Sequence, residues 1–181
     1  STLVRQEASE GDLLQAASYG FLKLTPPQIA DFIRKSCKTG AASPSSIHQV
    51  IMALGPTCFI TTNYDDLLEQ AYRAHRQEPA RLRIVLNKQL FEQADIIHAR
   101  AREFIFKPHG DACAADSLVL TRDQYRMLMP QGAFHSTLHT LSTLLQSRPV
   151  LFLGFGLRDP DFVYLRDVLA NIYRGGMRDH Y

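Results

Sequence analysis

Apolar positions in the first 55 residues recur at helical spacing. Leu13, Ala16, Ala17, Phe21 and Leu24 lie on or near one face, Ile29, Phe32 and Ile33 resume the pattern, and Ile47, Val50, Ile51 and Leu54 repeat it. Thr25–Pro26 and Ser43–Pro44 each set a capping hydroxyl before a proline, a helix-start signature. Gly40 and the Gly55–Pro56 pair are the matching stops. The pattern then changes: Cys58, Phe59 and Ile60 form an apolar run too short for a helix and too continuous for a half-exposed strand. Such a run predicts a parallel strand covered on both faces. Asn63, Asp65 and Asp66 follow at once, where short polar side chains cap free N–H groups and acids suit the positive end of a helix dipole. Residues 57–69 therefore predict a strand, a polar turn and a helix start, and the rest of the chain is organised around them.

The alternation continues downstream. The pattern predicts a helix over 66–76, a strand over Leu82–Leu86, a short polar helix near 88–94 and a strongly apolar strand over Glu103–Pro108. A short strand at Leu118–Leu120 follows, then a helix opened by Thr121 with Tyr125, Leu128 and Met129 apolar. A longer helix over 132–147 turns Phe134, Leu138, Leu141, Leu144 and Leu145 inward. A third buried strand is predicted over Pro149–Gly154, and a last helix carries Phe162, Leu165, Val168, Leu169 and Ile172 up to a Gly175–Gly176 stop. Strands alternating with helices predict an α/β domain with a mainly parallel sheet flanked by helices, preceded by an N-terminal helical segment. The expected organisation is one domain over 1–181, a helical segment at 1–55 and a core at 56–174.

Composition narrows the function classes. At 181 residues and 45% hydrophobic, the chain is long enough to bury a sizeable core. Its net charge of +2, without a run of five or more Lys/Arg, lacks the footprint of a nucleic-acid binder. No apolar run approaches the ~20 residues of a membrane span, and no signal peptide opens the sequence. Cys37, Cys58 and Cys113 are far apart and odd in number, so a disulfide framework is not expected and a reducing cytoplasm is the simpler home. The start at Ser1 and the glycine-containing tail read as those of a piece of a longer chain.

Chemistry-capable residues gather where buried strands stop. The first turn supplies Asn63 and Asp65, the second His109 and Asp111, and the third Gly154, Gly156 and Asp159. In an open parallel sheet, ligands bind beyond the carboxyl ends of the strands, so three such turns on one edge could share a ligand. Glycines let backbone N–H groups approach a phosphate or ribose closely, although the full GxGxxG fingerprint is absent. Each residue also has a plain role: Asn63 as a helix cap, His109 as a turn residue bonded to a carbonyl, Asp159–Pro160 as a helix start. His135 and His139 stand four apart on a helix, but the glutamate of HExxH and a third ligand are missing, so a surface pair is expected. Arg100 and Arg102 read as a solvated face. There is no GxSxG elbow and no Walker-type P-loop.

Four segments resemble a known family. Ile60–Glu69 (ITTNYDDLLE), Lys107–Asp111 (KPHGD), Leu118–Tyr125 (LVLTRDQY) and Leu151–Asp161 (LFLGFGLRDPD) are similar, in order, to the SIR2-like branch of the sirtuin superfamily, in particular to its prokaryotic anti-phage defence proteins. The resemblance implies a Rossmann-like domain that binds NAD as substrate and cleaves its nicotinamide–ribose bond, giving nicotinamide and ADP-ribose. By position it implies that Asn63 sits by the nicotinamide ribose and orders the attacking water, and that His109 is the catalytic histidine at the ribose hydroxyls. Asp65 corresponds to the acid near the nicotinamide amide, and Gly154 and Gly156 to the turn near the adenosine half. Thr61, Thr62, Gly110, Phe155 and Asp159 complete the expected NAD-binding set. The residue types suit the reaction: an oxocarbenium-like ribose needs fixed polar groups and a placed nucleophile, and an imidazole accepts a proton near neutral pH.

Two departures matter. The four-cysteine zinc module of protein-deacylating sirtuins is missing, which favours NAD hydrolysis over lysine deacylation, with no metal expected. The family's glycine-rich GAG-type first strand and loop is not found in the sequence, so it is expected upstream, and the 181-residue piece is expected to bind NAD poorly or not at all. The remaining alternatives are a non-catalytic NAD- or ADP-ribose-binding or assembly module, and a deacylase. Expected partners are NAD, other domains of a longer chain and further copies in a homo-oligomer, with no membrane and no direct nucleic-acid contact.

Overall fold

A computed structural model describes residues 2–76, 81–156, 158–173 and 179–181. The Gly175–Gly176 stop and the inward side chain expected of Ile172 lie outside the described residues. Two compact units make up the chain, residues 1–122 and 123–181.

The first unit opens with four helices, α1 (Thr2–Glu10), α2 (Leu13–Phe21), α3 (Pro26–Ser36) and α4 (Ser46–Ala53). Their starts are set chemically. The Thr25 N–H donates to Gln28 Oε1 at 2.8 Å with proline in the first turn of α3, and the Ser45 N–H donates to His48 Nδ1 at 3.1 Å at the head of α4. Then come β1 (Cys58–Ile60), α5 (Leu67–His75), β2 (Arg83–Leu86), α6 (Leu90–Ile97) and β3 (Phe104–Lys107). The strands form one parallel sheet in the order β1-β3-β2, with Ile60 opposite Phe106 and Leu86 opposite Lys107. Parallel neighbours need crossover connections, which α5 and α6 supply. This is a small Rossmann-like α/β arrangement, as expected.

The central strand is β3. All four β3 residues are buried, whereas β1 is only half covered: Phe59 is buried and Ile60 is 37% exposed. Side chains alternate across a strand. Phe59, Ile105 and Ile84 accordingly share a face with Met52, Leu68, Ala71 and Tyr72 from α4 and α5. Arg76 reinforces this layer by donating from Nη2 to the Pro56 carbonyl at 3.0 Å and lying 5.6 Å over the Tyr72 ring. A second cluster joins Ala30 and Ile33 of α3 to Ala112 and Leu118 beyond β3.

Two expected strands do not form. Residues 118–120 are irregular because their backbone is bonded elsewhere: the Val119 N–H donates to the His109 carbonyl at 3.0 Å, and the Tyr64 hydroxyl donates to the Val119 carbonyl at 2.6 Å. In the second unit, Pro149–Gly154 is extended but is no strand; the Tyr181 N–H donates to the Val150 carbonyl at 2.9 Å, and Leu151 and Leu153 are more than half exposed. Its apolar run matched a buried strand, but a strand needs a neighbouring strand to bond, and among the described residues of its unit the backbone of this segment bonds the chain end at Tyr181 while Phe152 packs on Phe155 and Phe162.

That unit otherwise contains α7 (Arg122–Leu128, opened by the last residue of the first unit), α8 (His135–Ser147) and α9 (Pro160–Tyr173). Leu138, Leu141, Leu144 and Leu145 of α8 and Leu165 and Leu169 of α9 are buried. No described helix is long and apolar enough to cross a membrane.

Two predictions test this core. Ile105→Ala removes a fully buried side chain and should lower unfolding free energy by about 2–5 kcal/mol, while Ile60→Ala should cost under about 1 kcal/mol. Equal losses in denaturant titrations would contradict the asymmetric covering of the sheet. Burial, and then the Glu103 carboxylate that accepts its hydroxyl, push the Tyr72 phenol up to about 12. The unfolded chain ionises this phenol near ~10, so stability is full below about pH 10 and falls toward pH 12. Tyr72→Phe should flatten that part of the stability–pH curve.

Candidate functional site

The first polar turn begins where β1 leaves the sheet. The Thr61 N–H still bonds the Phe106 carbonyl at 3.0 Å, and the Asn63 N–H then folds back onto Thr61 Oγ1 at 3.1 Å. Asn63 is exposed at the turn's tip, Thr62 half-buried. The N-cap of α5, Asp66, makes no side-chain cap bond, and Asp65 just before it supplies the bond at the helix start, its Oδ1 accepting the Leu67 N–H at 3.0 Å. The plain role expected of Asn63 is thus filled by its neighbour.

The second turn follows β3 and is held by bonds from several segments. His109 is 2% exposed, and its carbonyl accepts the Val119 N–H. Gly110 has φ +91, and a Cβ there would fall 2.1 Å from the Ser117 carbonyl oxygen, so only glycine fits. Asn87, wholly buried, donates from Nδ2 to the carbonyls of Pro108 at 3.0 Å and Ser117 at 2.7 Å. Asp111 donates its N–H to Ser117 Oγ at 3.0 Å and accepts the Cys113 N–H on Oδ1 at 2.7 Å.

Because β1 and β3 are adjacent and parallel, both turns leave the same carboxyl edge, and bonds join them directly. The Ala112 N–H donates to the Tyr64 carbonyl at 3.0 Å. Lys107, the last residue of β3 and fully buried, shares the α5-facing side of the strand with Ile105. Its Nζ donates to the Asp65 carbonyl at 2.6 Å, Glu69 Oε1 at 3.0 Å and Asp111 Oδ2 at 2.6 Å. Burial pushes the ammonium's pKa down, but the Glu69 and Asp111 carboxylates more than reverse this and leave it above the ordinary lysine value. Burial, with Asp65 beside Cys37 and Asp111 beside Cys113, pushes both thiols up. A thiolate nucleophile is therefore disfavoured on this edge.

Lys107, Glu69 and Asn87 were not singled out by sequence reasoning. The signal for Lys107 was a lysine closing an otherwise apolar strand, since a buried lysine requires carboxylate partners.

The third turn belongs to the second unit. Gly154 has φ +62 with open space around its Cβ position, and both Gly154 and Gly156 are exposed. Phe155 stacks on Phe152 at 5.9 Å and meets Phe162 edge-on at 5.2 Å. Asp159 fixes the start of α9, its carbonyl accepting the Val163 N–H at 2.9 Å and its Oδ1 the Tyr125 hydroxyl at 3.2 Å. His135 and His139 are both exposed, and the His135 ring lies 3.0 Å from the Gly132 carbonyl. Arg100 and Arg102 are exposed too.

Glycine demand separates the two glycine turns. Gly110→Ala should destabilise the chain by more than about 3 kcal/mol, because backbone strain adds to a backbone clash. Gly154→Ala meets strain alone and should cost about 1–2 kcal/mol. Thermal melts of the two variants test the difference, and a Gly110→Ala protein as stable as the parent would refute the tight second turn.

Comparison with known proteins follows the same lines. Residues 57–181 match the SIR2-like domain family. The chain is 30% identical over 142 residues to the NAD(+) hydrolase ThsA of Acinetobacter baumannii (strain 532279), covering 78% of this chain and 28% of that protein. It is 28% identical to the NAD(+) hydrolase ThsA of Enterococcus faecium, covering 76% of this chain and 27% of that one. Against the Defense-associated sirtuin 2 of Bacillus subtilis the figures are 27% identity, 75% of this chain and 12% of the relative. The chain spans less than a third of the length of each of these relatives. The matched stretch takes in all three strands and both turns at their carboxyl edge, and the chain belongs to the SIR2-like domain family.

Proposed function

We propose that this chain carries the NAD-hydrolysing site of a prokaryotic anti-phage defence protein, with Asn63 and His109 as its central groups. The observation that supports this most is the shared edge: adjacent parallel β1 and β3 lead into turns bearing Asn63 and His109, and those turns are bonded to one another. The names of the relatives, two NAD(+) hydrolases and a defence-associated sirtuin, point the same way.

In the proposed reaction, the C1′–N bond of the nicotinamide riboside unit breaks and its electron pair leaves with nicotinamide. The ribose becomes oxocarbenium-like, water adds at C1′, and the proton released is taken up at the site, leaving ADP-ribose. Neutral nicotinamide needs little protonation to depart, so preorganised polar groups and a placed water contribute most. Exposed Asn63 is suited to hold that water at the rim. Buried His109 is suited to meet the ribose hydroxyls and accept a proton. Thr61, Thr62, Asp65 and Gly110 would line the ribose and nicotinamide end; Gly154, Phe155, Gly156 and Asp159 of the second unit are proposed for the adenosine half on the family resemblance alone. Relatives several times longer support further domains acting with this one; further copies in a homo-oligomer and the cytoplasm as the place of action belong to the same proposal.

The test is nicotinamide release by the full-length protein. His109→Ala and Asn63→Ala should each lower the rate at least ~100-fold. Undiminished turnover in both variants rejects the assignment. NAD binding without nicotinamide release by the parent would replace it with a nucleotide-binding module, and release that requires an acyl-lysine peptide would replace it with deacylation.

A further inference from the structure

We propose that Lys107 is a positioning residue of this site: its buried ammonium holds the Asn63 turn and the His109 turn in fixed register. The inference rests on the assignment of those two residues to NAD hydrolysis.

The geometry is specific. Lys107 Nζ uses its three donors on three separate pieces of chain: the turn after β1 through the Asp65 carbonyl, helix α5 through Glu69, and the turn after β3 through Asp111. Asp65 lies two residues past Asn63 and Asp111 two residues past His109, so each anchor sits one short step from a proposed reacting group. The anchors are themselves held. Asp65 Oδ1 accepts the Leu67 N–H at the start of α5, and Asp111 is bonded to Ser117 Oγ and the Cys113 N–H.

Stability alone does not account for this arrangement. Lys107 shares its side of β3 with Ile105, and the neighbouring cluster there is apolar, so a methionine or leucine would fill that space without desolvating three charged groups. A buried ion cluster is often no more stable than its apolar replacement. This one also leaves a loose end, since Glu69 Oε2 is buried without a hydrogen-bond partner. What the ammonium adds is direction: three short bonds converge on one atom, and neither turn can shift without stretching one. An error of about 1 Å between two reacting groups is enough to cost ~100-fold in rate.

Lys107→Met by itself strands the Glu69 and Asp111 carboxylates and could unfold the chain, so the informative variant is Lys107→Met with Glu69→Gln in the full-length protein. Asp111 is partly exposed and can turn toward water. This double variant should melt cooperatively and bind NAD with KM within about threefold of the parent, while kcat falls about 100-fold. Hydrogen exchange should quicken in peptides covering 61–66 and 108–114, with protection of 83–86 in β2 unchanged. A folded double variant with kcat within threefold of the parent overturns the proposal, as does a loss of protection spread evenly over the sheet. The exchange pattern is read without turnover. If Asn63→Ala and His109→Ala prove active, the assignment of the reaction falls, while exchange still decides whether Lys107 couples the turns.

Discussion

A lysine ammonium with no access to water has to be met by oxygen atoms on all sides, and in this chain those oxygens come from both sides of a candidate catalytic edge. Lys107 closes the most deeply buried strand of the sheet and draws the Asp65 carbonyl, Glu69 and Asp111 onto one point. Parallel pairing of β1 and β3 brings the two turns to the same edge, but pairing ends at the Thr61–Phe106 bond. Beyond it the chain is irregular on both sides. From there on, register depends on the Lys107 cluster and the Ala112–Tyr64 bond, which take over the work of the ladder where the ladder stops.

Around that point the site divides its labour by exposure. Backbone and side-chain bonds from Asn87, Ser117 and Val119 hold the second turn, and Gly110 lets the chain pass within contact distance of Ser117. His109 is thereby placed in a water-poor setting. Asn63 stands at the opposite extreme, exposed on a turn in which Thr61 and Asp65 are engaged in holding its shape. On the proposed reading, a buried imidazole on one turn and an exposed amide on the turn bonded to it would suit hydrolysis of a glycosidic bond with a neutral leaving group, where placing water matters more than supplying acid.

Much of this was legible in the residues. The switch from helical to strand-like spacing near Thr57 marked β1, Glu103–Pro108 marked β3, and the polar clusters at their ends marked the turns. What escaped was whatever depends on contacts distant in sequence. Periodicity does not say which strand is central, and the middle of the sheet is β3. The apolar run at 150–153 met the composition of a buried strand but finds no strand partner among the described residues of its own unit. Asn63 and Asp65 are equally good caps on paper, and only the Leu67 N–H direction separates them. Lys107 was passed over because its partners, 38 and 4 residues away, are found only once the sheet forms.

The most direct measurement is the structure of the full-length protein with ADP-ribose bound. The account predicts that the Asn63 and His109 side chains both lie within hydrogen-bond reach of the same terminal ribose, at the edge where β1 and β3 end. A ribose that touches only one of them, or a nucleotide seated elsewhere on the chain, would contradict it.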